Sequence, residues 1–410
     1  MSAAVPVDSS SAALEPRWVD DQPTFDALCA ELVSVEAFGF DTEFHRERTY
    51  YPRVALVQLA WDDQVVLVDP LEVDLAPFAT VLAGDAVVVA HAAEQDIEVL
   101  QRSCGAVPRT LFDTQVAAGF LGFSSPSLGA LCSQLVGERL PKADRLTDWT
   151  RRPLASTQVG YAAADVVHLL ELRRKICDRL EPAGRLPWAL EESARLLARS
   201  IPDADPATAW WRMKDARSLR GSTRGVAQAV AEWRERTAMR VDRPARFVLP
   251  DMAMTAIVHR APRSREDLRE IRGLDQRSLR PETADALLGA VERGRQLADD
   301  ELRIPPAADL DRELRPAVAL VASWIAQLAR HVKIDAALLA TRADISALLR
   351  KDPDARLASG WRAELLAEPI RRLVEGEAAL AFGGHGELVL EARSHQPIEV
   401  DLPPVNGAEG

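Results

Sequence analysis

Five side chains in this chain are of types, and at spacings, that do chemistry. Asp41 and Glu43 stand two apart in Gly39-Phe40-Asp41-Thr42-Glu43-Phe44. Alternate residues of a strand share a face, so both carboxylates project to one side. Such a pair repels, and each acid raises the other's pKa unless a cation lies between them. Asp96 follows the apolar run Val87-Val88-Val89-Ala90 through His91-Ala92-Ala93-Glu94-Gln95. That pattern is a buried strand, a sharp exit and the first turns of a helix. It delivers early helix side chains to the carboxyl end of the strand, where α/β sites form. Tyr161 and Asp165 are four apart in Tyr161-Ala162-Ala163-Ala164-Asp165, which is one face of a helix. The alanines between them admit a close neighbour. Singly, each signal has an ordinary reading: an exposed strand end, a capping Asp, an amphipathic helix with a half-buried Tyr. Together they are four acids in the order strand, strand exit, later helix. Four hard oxygen donors suit ions such as Mg²⁺. No His or Cys cluster competes for a zinc reading.

The elements that must position these groups can be read in outline. A helix is expected at about 23–34. Strand-like runs at 37–44, 54–61 and 65–68, joined by short turn-rich stretches, predict an antiparallel meander. A buried strand at 86–90, a helix at 93–103 and a short strand near 110–112 follow, then helices to about 180. Strands mixed with helices predict an α/β layered domain ending near residue 200. Ile201-Pro202-Asp203-Ala204-Asp205-Pro206 reads as a linker. Beyond it the pattern is helical only. Val226, Ala229, Val230 and Trp233 recur at helical spacing, and Asp242-Arg243-Pro244 stops that helix. Further helices are expected at 251–260, 264–271 and 282–296, and a helical block at 312–382. The Gly- and Pro-rich stretch after about 383 reads as loosely structured.

Composition narrows the class. The 410 residues carry 50 Lys+Arg against 62 Asp+Glu, a net charge of −12. Hydrophobic content of 47% and charged content of 27% are those of a folded protein. No apolar run reaches the ~18 residues of a membrane span, and the first residues lack a signal-peptide pattern. Cys29, Cys104, Cys132 and Cys177 are scattered, so reduced thiols and a cytoplasmic setting are expected. Lysine supplies only Lys142, Lys175, Lys214, Lys333 and Lys351 of the basic residues. In so arginine-rich a chain, a single arginine is a weak signal. Residues 211–295 are nevertheless a basic island in an acidic protein. That is consistent with nucleic-acid binding, and equally with solvated helix faces.

With these residues in view, the chain resembles the ribonuclease D family of 3′→5′ exonucleases, the kind with four acids and a tyrosine. Arg48-Thr49-Tyr50-Tyr51-Pro52, His91-Ala92, Phe112-Asp113-Thr114-Gln115 and the stretch Lys142 to Leu154 resemble that family too. A second resemblance, over about 210–296, is to the HRDC module. It rests on Glu232-Trp233-Arg234, Asp242-Arg243-Pro244 and Ile271-Arg272-Gly273-Leu274. The resemblance implies an α/β fold: a ribonuclease H-like mixed-sheet exonuclease domain followed by all-α HRDC-type helical domains. The implied division is a disordered tail at 1–14, the exonuclease domain at 15–203, an HRDC domain at 210–296, a second helical, HRDC-like domain at 308–385 and a tail at 386–410. The implied activity is 3′→5′ hydrolysis of single-stranded RNA ends to 5′-monophosphates, on structured RNA such as precursor tRNA. Rival readings are a DNA exonuclease of the same mechanism and a non-catalytic nucleic-acid-binding protein on this scaffold. Asp41, Glu43, Asp96 and Asp165 would hold two divalent cations, Mg²⁺ or Mn²⁺, with Asp41 bridging them. Tyr161 would hold or polarise the attacking water. A phenol of pKa near 10 favours positioning over proton abstraction. Arg48, Arg145 and Arg152 are candidate phosphate contacts, as is His91 by its place in the motif. Phe44, Tyr50 and Trp149 could stack on bases, although Phe44 also fits core packing.

Overall fold

Alternation along one strand sets the layers of this molecule. Phe38 and Phe40 point to one side of β2 (Ala37–His45), and Gly39, Asp41 and Glu43 to the other. The computed structural model describes residues 15–141, 147–199, 205–274, 280–305 and 310–394. The readings placed on residues 1–14, Lys142, Arg145, most of the linker and residues 395–410 lie outside them. The described residues within 1–118 and 125–307 form one compact unit, and those within 119–124 and 308–410 a second.

In the first unit, β1 (Arg17–Val19), β2, β3 (Arg53–Trp61), β4 (Gln64–Val68), β5 (Val87–Ala90) and β6 (Leu111–Asp113) make a six-stranded sheet in the order β1-β4-β3-β2-β5-β6. The β2-β3-β4 core is the expected antiparallel meander. β5 and β6 add in parallel on one side, and β1 adds in parallel on the other. β1 is too short to show a period in sequence. The Phe38 face is covered by α1 (Gln22–Leu32), α2 (Phe78–Leu82) and α3 (Glu94–Ser103), which bury Phe25, Leu28, Phe78, Ile97 and Leu100 against it. Phe78 lies 6.1 Å from both Phe38 and Phe40. α4 (Thr114–Gly119) and α5 (Leu128–Leu131) follow β6. The Asp41 face is covered by α6 (Ser156–Val167) and the start of α7 (Leu169–Leu180), and α8 (Leu186–Arg199) closes this part of the chain. Gly39 permits that cover: a Cβ there would lie 3.0 Å from the Val166 carbonyl oxygen and 3.3 Å from Leu169 Cβ.

The same unit holds α9 (Ser222–Val241), α10 (Ala245–Val248), α11 (Asp251–Arg260), α12 (Arg265–Arg269) and α13 (Pro281–Gln296), close to the predicted bounds. α9 stops where expected, with Asp242 in the left-handed region at φ 46. α9 and α13 touch through Gly225 and Gly294, where a Cβ on Gly225 would fall 2.1 Å from the Gly294 carbonyl oxygen. Their core is Trp210, Val226, Val230, Ile257, Leu268, Leu287 and Val291.

The second unit holds α14 (Arg315–Val332), α15 (Ala336–Leu339), α16 (Arg342–Leu349), α17 (Gly360–Arg362) and α18 (Glu368–Val374). The helical reading of 312–382 and the loose tail are corrected at its end. β7 (Ala378–Phe382) and β8 (Leu388–Ala392) form an antiparallel hairpin. Gly384 and Gly386 take positive φ between the two strands, so glycines that suggested looseness are turn residues of a hairpin. Among the described residues no helix is long and apolar enough to cross a membrane.

Candidate active site

Asp41 and Glu43 lie on β2 opposite Gln58 and Leu56 of β3. A β-bulge follows at once: the register shifts between Glu43 and Phe44, leaving Ala55 as the extra residue. Bulges re-aim a strand beside a site. β5 pairs with β2 only over Ala37–Gly39, so no strand borders Asp41 on that side. The chain leaves β5 through Ala92, at φ 59, and α3 begins there. Asp96 sits in the first turn of α3, where the helix dipole favours a negative charge.

That exit is pinned by residues to which the sequence reading gave no role. Asp113 is buried and accepts backbone N–H bonds from Ala92 (3.2 Å), Ala93 (2.9 Å), Gln115 (2.8 Å) and Val116 (3.1 Å). Thr42, the residue between the two β2 acids, is buried and donates its hydroxyl to Asp96. A bare Asp-x-Glu pattern gives no hint of that bond, because Thr42 faces away from its neighbours. On the other face Tyr161 stands one turn before Asp165 on α6, its hydroxyl beside that carboxylate. Ala162 beneath them is fully buried on Leu56 and Leu67.

The electrostatics tie the three elements together. Asp41 is held well above the usual carboxylate range, by burial first and then by the charges of Asp96, Asp165 and Glu43. Burial, with Asp165 and Asp96, pushes Glu43 up to about 8. Burial raises Asp165 to about 7 against the opposing Tyr161 bond. It raises Asp96 to about 6 although the Thr42 hydroxyl stabilises the charge. Tyr161 is raised by burial and by Asp165 and Glu43, so its hydroxyl stays protonated at neutral pH. Among the described residues no three such side chains are closed up to the spacing of ligands round one ion. The donor set is carboxylate oxygen throughout, with excess negative charge, and it fits hard divalent cations.

The expected RNA contacts fare differently. Arg48 is exposed, and Phe44 and Trp149 are partly buried. The Trp149 ring lies 6.1 Å from that of Tyr161. Three other side chains have internal partners. Arg152 grips Asp69 with two nitrogens, one bond being 2.6 Å, and donates to the carbonyls of Ala55 (2.7 Å) and Trp149 (2.8 Å). His91 is wedged between Thr114 Oγ1 at 3.0 Å and the Pro126 carbonyl at 3.1 Å. Tyr50 donates its hydroxyl to Glu235 (2.7 Å), and its backbone N–H and that of Tyr51 donate to Asp242. The loop after β2 is thus bonded to α9 and its cap. Beside it runs a groove of about 1010 Å³, whose lining includes Arg46, Arg102, Arg212, Lys214 and Arg246.

A mixed sheet with acids on its central strand, at a strand exit and on a covering helix suits a metal-dependent 3′→5′ exonuclease. The profile of the 3′→5′ exonuclease domain matches residues 16–181, and that of the HRDC domain matches residues 223–291. Ribonuclease D of Acidiphilium cryptum is 37% identical over 398 residues, covering 95% of this chain and 98% of its own. Ribonuclease D of Escherichia coli is 33% identical over 360 residues, covering 85% and 96%. The crystal structure of E. coli RNase D, an exoribonuclease involved in structured RNA processing, superposes with a TM-score of 0.81 over 88% of this chain and 99% of that one. The chain belongs to the ribonuclease D family and is a 3′→5′ exoribonuclease.

Proposed function

We propose that this enzyme trims single-stranded 3′ ends of structured RNA, precursor tRNA among them, one nucleotide at a time to 5′-monophosphates. Asp41, Glu43, Asp96 and Asp165 hold two divalent cations, Mg²⁺ or Mn²⁺. When bound, such a pair supplies Lewis-acid activation of water and stabilisation of the leaving 3′ oxygen. The observation that carries the reading is that the charges of Asp96 on α3 and Asp165 on α6 raise both Asp41 and Glu43 on β2. A cation relieves that repulsion.

The side chains divide the remaining work. Thr42 fixes the Asp96 carboxylate by its hydroxyl bond. Tyr161 keeps its proton, is anchored on Asp165, and orients water as a neutral donor. Arg48, just after β2, and Phe44 and Trp149 are candidate contacts for phosphate and base. The groove beside the Tyr50 loop, lined by basic side chains interspersed with Glu47, Glu98, Glu235 and Asp251, is the candidate RNA path toward α9.

Digestion of an end-labelled RNA with a 3′ overhang, with and without EDTA and beside a matched DNA, tests this. Stepwise shortening of the RNA, abolished by EDTA and restored by Mg²⁺ or Mn²⁺, is expected. Metal-independent cleavage, or internal cuts, would overturn it.

A further inference from the structure

One polar residue on the covered face of the sheet stands outside the set of acids and their partners. Gln58 lies mid-way along β3, in register with Asp41 on one side and Leu67 on the other. Residues directly opposite across a strand pair share a face, with Cβ atoms about 4.5–5.5 Å apart. Leu56 and Ala60 precede and follow it on that face, and Leu56 and Leu67 pack under Ala162 of α6. Gln58 is 0% exposed, and neither its Oε1 nor its Nε2 has a hydrogen-bond partner.

An amide in such a place is costly. A buried donor or acceptor left unmet costs about 1–3 kcal/mol, whereas an apolar side chain of similar volume costs nothing of the kind. Leucine or methionine would suit the surrounding Leu56, Leu67 and Ala162. The polar group that faces Gln58 in register is the carboxyl of Asp41, itself buried among three other acids. An amide donor satisfies an ionised carboxylate more strongly than a neutral one. A cross-strand glutamine can reach such a group by a change of rotamer, without moving the backbone.

We propose that Gln58 is a positioning residue, whose Nε2–H donates to the Asp41 carboxylate when that group holds a divalent cation. The proposal rests on the reading of Asp41 as a cation-holding acid. It assigns Gln58 a part in orienting that ligand, not a contact with substrate. Partners that orient metal ligands typically change metal affinity or activity by about 10–100-fold when removed.

The test uses the full chain and two apolar variants, Gln58→Met and Gln58→Leu, with Asp41→Asn in parallel. Calorimetric titration with Mn²⁺ is expected to show about tenfold weaker binding in both Gln58 variants. On a short RNA oligonucleotide, kcat is expected to fall by a similar factor with KM unchanged. Thermal midpoints in EDTA should equal or exceed that of the parent, since an unmet amide has been removed. Parent-like Mn²⁺ affinity and kcat in both variants would overturn the proposal. So would midpoints well below the parent in both, because the amide would then be partnered in the metal-free fold. If Asp41→Asn itself binds Mn²⁺ like the parent, the reading of Asp41 fails, and that outcome is distinct from a silent Gln58.

Discussion

At the scale of single residues, the charges of the four acids govern both chemistry and stability. Asp41→Asn is nearly isosteric and removes the charge placed among the other three. Activity on RNA is expected to fall by far more than tenfold, which would be only about 1.4 kcal/mol of barrier. Its effect on stability has a definite sign. Asp96, Asp165 and Glu43 titrate in the fold near 6, 7 and 8, above the ordinary carboxylate value near 4. Between those limits the metal-free fold binds protons that the unfolded chain has released, so these groups lower stability as pH rises. In EDTA, Asp41→Asn should therefore melt above the parent at pH 8, with the gap narrowing toward pH 5. Melting scans at several pH values check this, and a gap that widens on acidification would contradict the repelling cluster. Tyr161→Phe leaves the carboxylates in place and removes one hydroxyl. Single-turnover rates should drop by about 10²–10⁴-fold, less than for any of the acids. Arg152 is expected to report on folding and not on RNA. Arg152→Ala strands the Asp69 carboxylate, which is 3% exposed. The loss should be about 3–5 kcal/mol in denaturant unfolding, with KM for RNA unmoved in whatever remains folded.

At the scale of elements, the site depends on how closely α6 lies on β2. Gly39 makes that approach, with the Val166 carbonyl 3.0 Å from where a Cβ would stand. Gly39→Ala forces the helix or the strand to give by a few tenths of an ångström. Overpacking of this kind costs roughly 1–3 kcal/mol, and it shifts Tyr161 and Asp165 relative to Asp41 and Glu43. A lower midpoint together with a reduced kcat is expected. A lower midpoint alone would show that the displacement is absorbed away from the site. The turn from β5 to α3 is the second such device. Asp113 spends its carboxylate on four backbone N–H groups, two of them in that turn, and so sets where Asp96 emerges.

At the scale of the whole molecule, the helical region that holds α9 is bonded to the loop that follows β2. Tyr50 and Tyr51 meet Glu235 and Asp242, so deleting everything after residue 206 removes partners of the loop that follows β2. The basic residues of 211–295 leave with them. Two effects should separate. RNA affinity should fall and its salt dependence flatten, by roughly 0.7 log units per log salt for each phosphate that the deleted residues would neutralise. Hydrolysis of a very short oligonucleotide should also slow severalfold, because the loop no longer has its anchor. In the full chain, Tyr50→Phe is expected to reproduce the second effect and not the first. Filter binding across a salt series and oligonucleotide kinetics on the three proteins check the pair.

The chain order of the acids, their strand-and-helix setting and the β2-β3-β4 meander were legible in the sequence, because each is written in a local period. Two residues per strand repeat put Asp41 with Glu43, and four per helical step put Tyr161 with Asp165. What the tertiary structure alone decided were pairings between residues far apart in the chain. Thr42 with Asp96, Asp113 with the Ala92 turn, Arg152 with Asp69 and Tyr50 with Glu235 are of that kind. In sequence, Arg152 and Tyr50 carry the same side chains whether they face RNA or another strand or helix. The hairpin at Ala378–Ala392 escaped for a related reason. Glycines permit both a tight reversal and a loose tail, and strand pairing, not composition, chooses between them.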